Sequence, residues 1–122
     1  MKLIFTLLTF IATGLYAQLD TIHWIPPMHS RANVQVTDHY IYLSTPSITP
    51  FIVTITDGGG SILSTPTISS GSPFRYTIAT DDPSEVMVRS VDLNTVLTDK
   101  GLILSAPGEF YANFRARSVN QA

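Results

Sequence analysis

Short runs of β-branched and aromatic residues fill the chain after residue 17, and Pro, Gly, Asp or Ser ends each run. These turn residues recur roughly every 8–12 positions, the spacing of strands in an antiparallel sandwich or barrel. Helical periodicity is almost absent. We therefore expect one all-β domain over residues 18–122, an antiparallel β-sandwich or jelly-roll-like fold with about eight or nine strands.

The predicted strands are the segments in which apolar residues alternate or run together. They are Thr21–Ile25, Val34–Val36 (alternatively part of a loop), His39–Ser44, Phe51–Thr56, Ser61–Ser64, Phe74–Ile78, Glu85–Arg89, Val96–Leu97, Leu102–Ser105 and Glu109–Arg117. Turns are predicted at Asp57–Gly60, Asp81–Pro83, Asp99–Gly101 and Ala106–Gly108. The first of these is the clearest hairpin signal, because glycine adopts the positive φ values of tight turns.

Residues 1–17 have the composition of an export signal. Lys2 supplies a basic start, Leu3–Phe10 a short apolar core, and Ala17 a small residue before a cleavage site. The apolar core is shorter than the roughly 20 residues that span a bilayer, and no Cys follows it for lipid attachment. We expect cleavage after Ala17 and export through the inner membrane. The mature domain would be secreted or held at the bacterial cell surface.

Charge and cysteine content argue against several classes of protein. Lys and Arg number 7 against 9 Asp and Glu, a net charge of −2 with no basic stripe, so nucleic-acid binding is not expected. The absence of Cys means that the domain must be stabilised by packing and hydrogen bonds without disulfides. No segment after the export signal is apolar enough to span a membrane.

No catalytic pattern stands out, and we expect neither an enzyme nor a cofactor. His23, His29 and His39 lie six and ten residues apart, without the close pairing of zinc ligands. No Ser lies in a G-x-S-x-G turn. Ser70–Ser72 is interpreted as a loop. Gly58–Gly60 lacks the Lys of a phosphate-binding loop.

A calcium site is the sharpest metal hypothesis. Asp81, Asp82 and Glu85 supply carboxylates within one loop, and calcium takes six to eight oxygen ligands. The alternative is ordinary turn chemistry, since Asp side chains bond to the backbone two residues on. Both interpretations remain open on the sequence.

The last predicted strand suggests a binding face. Phe110, Ala112, Phe114 and Ala116 would share its inner side, which leaves Tyr111, Arg115 and Arg117 outside as weak ligand-binding candidates. The alternative is a solvated strand face. Trp24 and the tyrosines suit stacking on sugars, but we expect Trp24 in the core beside Ile22 and Ile25.

Thr98–Ala106 has the form of a "(S/T)DKG-hydrophobic" turn and strand, Glu109–Arg115 that of a "hydrophobic-Y-hydrophobic" strand, and Val119–Ala122 that of the start of an "NQAG" segment. Upstream, His23–Pro27 is similar to an "HYIPP" opening and Tyr40–Pro46 to a "Y-hydrophobic-Y-hydrophobic-S-T-P" strand. In this order the motifs resemble the N-terminal region of large surface proteins of Bacteroidota. The resemblance covers most of the mature chain.

The resemblance extends distantly to the N-terminal domain of IgGFc-binding protein, a β-rich module of mucin-like secreted proteins. It implies a surface binding or adhesion module whose partner is a glycan or a host or extracellular protein. Family members are usually long and carry a sorting domain for the type IX secretion system, so we expect this chain to be a fragment, with the sandwich incomplete at its C-terminus; the alternative is a genuinely short protein. The alternative is a structural or accessory domain of a larger exported protein or enzyme, a carbohydrate-active enzyme or a protease, with its active site beyond residue 122.

Overall fold

A computed structural model describes residues 19–29, 36–78 and 84–118. The described ranges hold the following strands: β1 (Asp20–Ile25), β2 (Met28–His29), β3 (Val36–Ser44), β4 (Phe51–Ile52), β5 (Thr54–Asp57), β6 (Ile62–Ser64), β7 (Thr67–Ile68), β8 (Phe74–Thr77), β9 (Met87–Val88) and β10 (Leu102–Ser118). A 3-10 helix covers Ser90–Asp92. No helix of the described ranges is long and apolar enough to cross a membrane. The predicted export signal lies outside them.

The main sheet is antiparallel and curled, which confirms the all-β class. Its strand order is β6-β5-β10-β3-β8, and β1 pairs with β10. Two short pairs accompany it: β2 lies parallel to β9, and β4 lies antiparallel to β7. The predicted strand His39–Ser44 belongs to β3, which lies between β10 and β8 in the sheet.

The last strand, β10, runs for 17 residues and joins the two parts of the sheet. Residues 102–105 pair with both β1 and β5, whereas residues 111–118 pair with β3. The predicted turn at Ala106–Gly108 is wrong as a chain reversal. Ser105 lies opposite Ile22 and Phe110 opposite Asp20, so β10 advances five residues where β1 advances two. The excess residues form a large bulge, where a proline without an N–H is tolerated.

Side chains satisfy two backbone carbonyls at the end of this bulge. The Thr45 hydroxyl donates to the Glu109 carbonyl oxygen at 2.8 Å. His23 Nε2 donates to the Phe110 carbonyl oxygen at 2.7 Å, a role fixed by the carbonyl, which can only accept. The His23 and Phe110 rings also meet edge to face, with centroids 4.6 Å apart. These contacts hold the bulge to β1 and to the end of β3.

Two predicted strands are wrong in extent or in kind. Only Met87–Val88 of the predicted Glu85–Arg89 strand belongs to a ladder, because the Glu85 carbonyl instead accepts from the Gly101 amide at 2.8 Å. Val96–Leu97 is not a strand. Successive i to i+3 hydrogen bonds turn the chain between residues 89 and 95, and the Val96 side chain is 89% exposed with no strand to pair it.

The structure differs from the prediction at one further short segment and describes another only in part. Met28–His29, which lies outside the predicted strands, forms β2. Of the predicted strand Val34–Val36, only Val36 is described, as the first residue of β3. The predicted turn Asp81–Pro83 and the tail Val119–Ala122 lie outside the described residues.

The hydrophobic core lies inside the curl of the sheet. Its fully buried members come from both parts of the sheet and from the loops that cross it: Ile41, Leu43, Val53, Ile55, Ile68, Ile78, Val86, Leu102, Leu104 and Phe110. The expected core position of Trp24 is wrong, since this side chain is 70% exposed. Successive strand residues face opposite sides, so Ile25 points inward while Trp24 and Ile22 point outward.

The predicted hairpin at Asp57–Gly60 is confirmed and packs tightly against a neighbouring loop. Gly60 has φ +90°, and the Asp57 amide bonds to the Ser61 carbonyl at 3.0 Å. A Cβ on Gly58 would overlap the backbone carbonyl oxygen of Lys100. The lack of space therefore requires glycine at position 58, whereas the positive φ of the turn falls on Gly60.

Replacing Gly58 by Ala should destabilise the fold by about 1–3 kcal/mol, because the hairpin or the 98–100 loop must shift. Urea unfolding followed by circular dichroism measures the change. Gly71→Ala is the matched control: Gly71 has nothing within 4 Å of an added Cβ, so its effect should stay within about 0.5 kcal/mol. Equal unfolding midpoints for the two variants would contradict the close approach.

Candidate functional site

The outer side of β3 presents two tyrosines to solvent. His39, Ile41 and Leu43 are buried, so the alternation of the strand turns Tyr40 and Tyr42 outward. Tyr40 is half-buried and Tyr42 is 42% exposed. Because β3 is paired on both edges, these rings stand on a fixed backbone.

The neighbouring strand β10 contributes the residues that the sequence had suggested. Asn113 lies opposite Tyr42 and Arg115 opposite Tyr40, with Tyr111 opposite Ser44 and Arg117 opposite Asp38. Residues 111, 113, 115 and 117 are all exposed. The structure thus places Tyr111, Arg115 and Arg117 together on one outer face; their role in binding stays a prediction.

The third strand, β8, adds Arg75, which lies opposite Tyr42 on the other edge of β3. Sequence reasoning missed Arg75, Tyr40 and Tyr42. Their alternation with apolar neighbours was visible, but the pairing of β8 and β10 on either side of β3 was not. The residues that share this outer face are called the Tyr–Arg face: Tyr40, Tyr42, Arg75, Tyr111, Asn113, Arg115 and Arg117.

Tyr40 is the hub of the Tyr–Arg face. The guanidinium carbons of Arg75 and Arg115 lie 5.3 and 5.9 Å from its ring centroid. The Tyr42 ring meets it edge to face at 5.4 Å. Each cation–π contact of this kind contributes about 0.5–1 kcal/mol at an exposed site. Contact with the Tyr40 ring therefore restricts the positions of both guanidinium groups.

The charge of the Tyr–Arg face is positive, although the chain as a whole has a net charge of −2. Three of its 7 Lys and Arg residues lie here. Arg89–Asp92, an ion pair within 4.0 Å in the described part of the chain, involves no residue of this face. Among described residues neither Arg75 nor Arg115 pairs with a carboxylate. Acidic positions occur at the margins, where Asp38 is in register with Arg117 and Glu109 belongs to the bulge.

The histidines occupy separate environments. His23 bonds the bulge, as described above. Nε2 of exposed His29 lies 3.1 Å from the Ser90 hydroxyl oxygen. His39 is buried, with its ring edge to face with Phe114 at 5.3 Å. Across residues 19–29, 36–78 and 84–118, no group of three metal-ligating side chains converges.

The calcium hypothesis is only partly accessible to the structure. Asp81 and Asp82 lie outside the described residues. Glu85 is half-buried, and its Oε2 has no hydrogen-bond partner among the described atoms. Burial raises the pKa of the Tyr76 hydroxyl above its ordinary 10.0, and the charge of Glu85 raises it further. Tyr76 belongs to β8, and its ring packs against the core, on the opposite side of the sheet from the Tyr–Arg face.

A second outer surface, on the other part of the sheet, is apolar. In cross-strand register, Trp24 lies opposite Ile103, Ile103 opposite Thr56, and Thr56 opposite Ile62. Trp24 is 70% and Ile62 67% exposed. We call these four residues the apolar row. Its side chains offer contact area and one indole N–H, but no charge.

A shallow depression beside the bulge has little chemistry. Pro50, Phe51, Ile52, Thr54 and the backbone turn from Ser105 to Pro107 line it. None of these residues is ionisable.

The Ser69–Ser72 loop is a tight turn, in which the Ser72 amide donates to the Ser69 carbonyl at 3.0 Å.

The fluorescence of Trp24 should report its exposure directly, since it is the only tryptophan in the chain. We expect the emission maximum of the folded protein to match that of tryptophan in water and to change little on unfolding in urea. Iodide should quench folded and unfolded protein similarly. A blue-shifted emission that moves to the red on unfolding would contradict the outward orientation of Trp24.

Comparisons of this chain with protein-family models, with curated proteins and with solved structures find no match of significance in any of the three.

Proposed function

We propose that this protein is an exported, surface-associated binding or adhesion module without catalytic activity, and that its ligand docks on the Tyr–Arg face. The observation that carries the proposal is the clustering of Tyr42, Arg75 and Arg115 around Tyr40, with exposed Tyr111 farther along the same face. Tyrosine and arginine, together with tryptophan, are the side chains enriched where binding energy concentrates. The ligand is a glycan or an extracellular protein.

The rigidity of the face supports binding. Tyr40 and Tyr42 stand on a strand paired on both sides, and Arg115 and Arg75 stand on its two neighbours. Side chains on paired strands are held more closely in position than side chains on loops. A tyrosine ring has few rotatable bonds, so it loses little conformational entropy when a ligand packs on it.

The chemistry of the face supports binding without catalysis. Its side chains are phenol, guanidinium and amide groups, with Ser44 and Thr77 beside them. General acid–base catalysis needs a group whose pKa lies near the working pH. Phenol and guanidinium titrate well above neutrality, so here they bind and orient.

The export step and the family assignment rest on the sequence. Residues 1–17 support secretion or display at the bacterial surface. The resemblance to N-terminal regions of Bacteroidota surface proteins supports a place within a longer type IX-secreted chain. The shared strand β10 supports closure of the curled sheet as a sandwich, since strands that change sheet do so at bulges.

The apolar row favours a second function, a structural or accessory domain of a larger exported protein or enzyme. Exposed apolar side chains in one register are the surface that a neighbouring module covers. In that case the Tyr–Arg face would be solvated and the apolar row would carry the essential contact.

A double variant on each of the two outer surfaces distinguishes the two proposed functions. The purified protein is applied to a glycan array and to a panel of extracellular proteins, and hits are measured by calorimetry. The double variant Tyr42→Ser/Tyr111→Ser should raise Kd at least about tenfold, because the ligand loses its contacts with two exposed rings. Trp24→Ser with Ile62→Ser should leave Kd within about twofold.

Melting temperatures of both double variants show whether a loss of binding arises from unfolding. The proposal is overturned if no probe binds, or if removing the tyrosines leaves Kd unchanged. Binding that disappears only with the Trp24 and Ile62 variant supports the second function.

A further inference from the structure

We infer that the Tyr–Arg face binds an acidic oligosaccharide, a chain of pyranose rings that bear carboxylate or sulfate groups. This inference rests on the proposed function and deepens it by giving the chemical class of the ligand. It stands on the position of two guanidinium groups, on the exposed rings beside them, and on the place of the face within the sheet.

The first step concerns charge. Arg75 and Arg115 are exposed and lie within 6 Å of the Tyr40 ring centroid, on the two strands that flank β3. Neither is neutralised by a carboxylate of the described residues. An unpaired positive pair on an outer face is complementary to a ligand with negative groups, and so a neutral ligand would leave this charge unused.

The second step concerns the kind of anion. A guanidinium group offers five N–H donors in one plane, and they match the paired oxygens of a carboxylate or sulfate. A guanidinium held against an aromatic ring loses less freedom on binding than a mobile one. Tyr40 provides that ring for both Arg75 and Arg115.

The third step separates a sugar from an acidic peptide. Extended peptides add to the unpaired edge of a sheet, whereas the Tyr–Arg face centres on β3, whose backbone is already bonded to β8 and β10. Amphipathic helices need an apolar groove, and this face is polar. Exposed Tyr42 and Tyr111 instead offer flat apolar surfaces to the C–H side of pyranose rings, and the Asn113 amide can donate to and accept from hydroxyl groups.

The test uses matched probes that differ only in charge or only in backbone. By calorimetry, the purified protein is titrated with hexagalacturonate and with its full methyl ester, and with sulfated and unsulfated dextran oligosaccharides. Hexaglutamate supplies the same charge on a peptide. We expect at least one acidic sugar to bind about tenfold more tightly than its neutral counterpart and than hexaglutamate, with Kd rising as salt is added.

The variants locate that binding. Arg75→Gln and Arg115→Gln should each raise the Kd for the acidic sugar about tenfold, as expected for loss of a charged hydrogen-bond donor. Arg115→Lys keeps the charge and should recover only part of the affinity that Arg115→Gln loses. Arg89→Gln is the matched control, since it removes one positive charge from an exposed residue away from the face. It should change Kd by less than about twofold.

The outcomes distinguish the inference from the proposed function. Equal binding of acidic and neutral sugars, or a face-dependent ligand that is uncharged, overturns the inference and leaves the binding module standing. Hexaglutamate as the tightest probe overturns the choice of sugar in favour of an acidic peptide. An Arg89→Gln effect as large as that of Arg115→Gln shows unspecific attraction and overturns the site. If no probe, acidic or neutral, binds, the inference fails, and the proposed function is decided separately by the glycan array and the panel of extracellular proteins.

Discussion

The bulge at residues 106–109 of β10 is the constraint on which the rest of the structure depends. It lets one strand pair with β1 and β5 at its start and with β3 at its end. A bulge interrupts the backbone ladder, and the free carbonyls must find other donors if they are not to destabilise the fold. Thr45 and His23 supply those donors. The two side chains therefore belong to the architecture as much as the core does.

The same strand connects the core to the proposed binding face. Phe110 is fully buried directly after the bulge, and Tyr111, the next residue, is exposed. From there each inward residue of β10 alternates with a residue of the Tyr–Arg face. The pairing of β8 and β10 with the two edges of β3 brings Arg75 and Arg115 within 6 Å of the Tyr40 ring centroid.

Local patterns in the sequence predict much of the strand content but not the order of the strands. The Asp57–Gly60 hairpin and the outward side of β10 follow from glycine chemistry and from alternation alone. Three of the face residues were predicted because they share one strand; Tyr40, Tyr42 and Arg75 were missed because only long-range pairing unites them. The prediction that Trp24 lies in the core was wrong because it relied on the neighbouring Ile22 and Ile25. These two side chains face opposite sides of β1. Ala106–Gly108 has the composition of a turn, and nothing local distinguishes a reversal from a bulge.

The most direct test of this account is amide hydrogen exchange along β10. If one strand holds both parts of the sheet together, the hydrogen-bonded amides of residues 102–105 and 111–117 should open with a single free energy, the highest in the protein, because they exchange only through global unfolding. The contrary result is fast exchange in residues 111–117 while residues 102–105 stay protected. The two parts of the sheet would then be independent, and β10 would not hold the Tyr–Arg face in place.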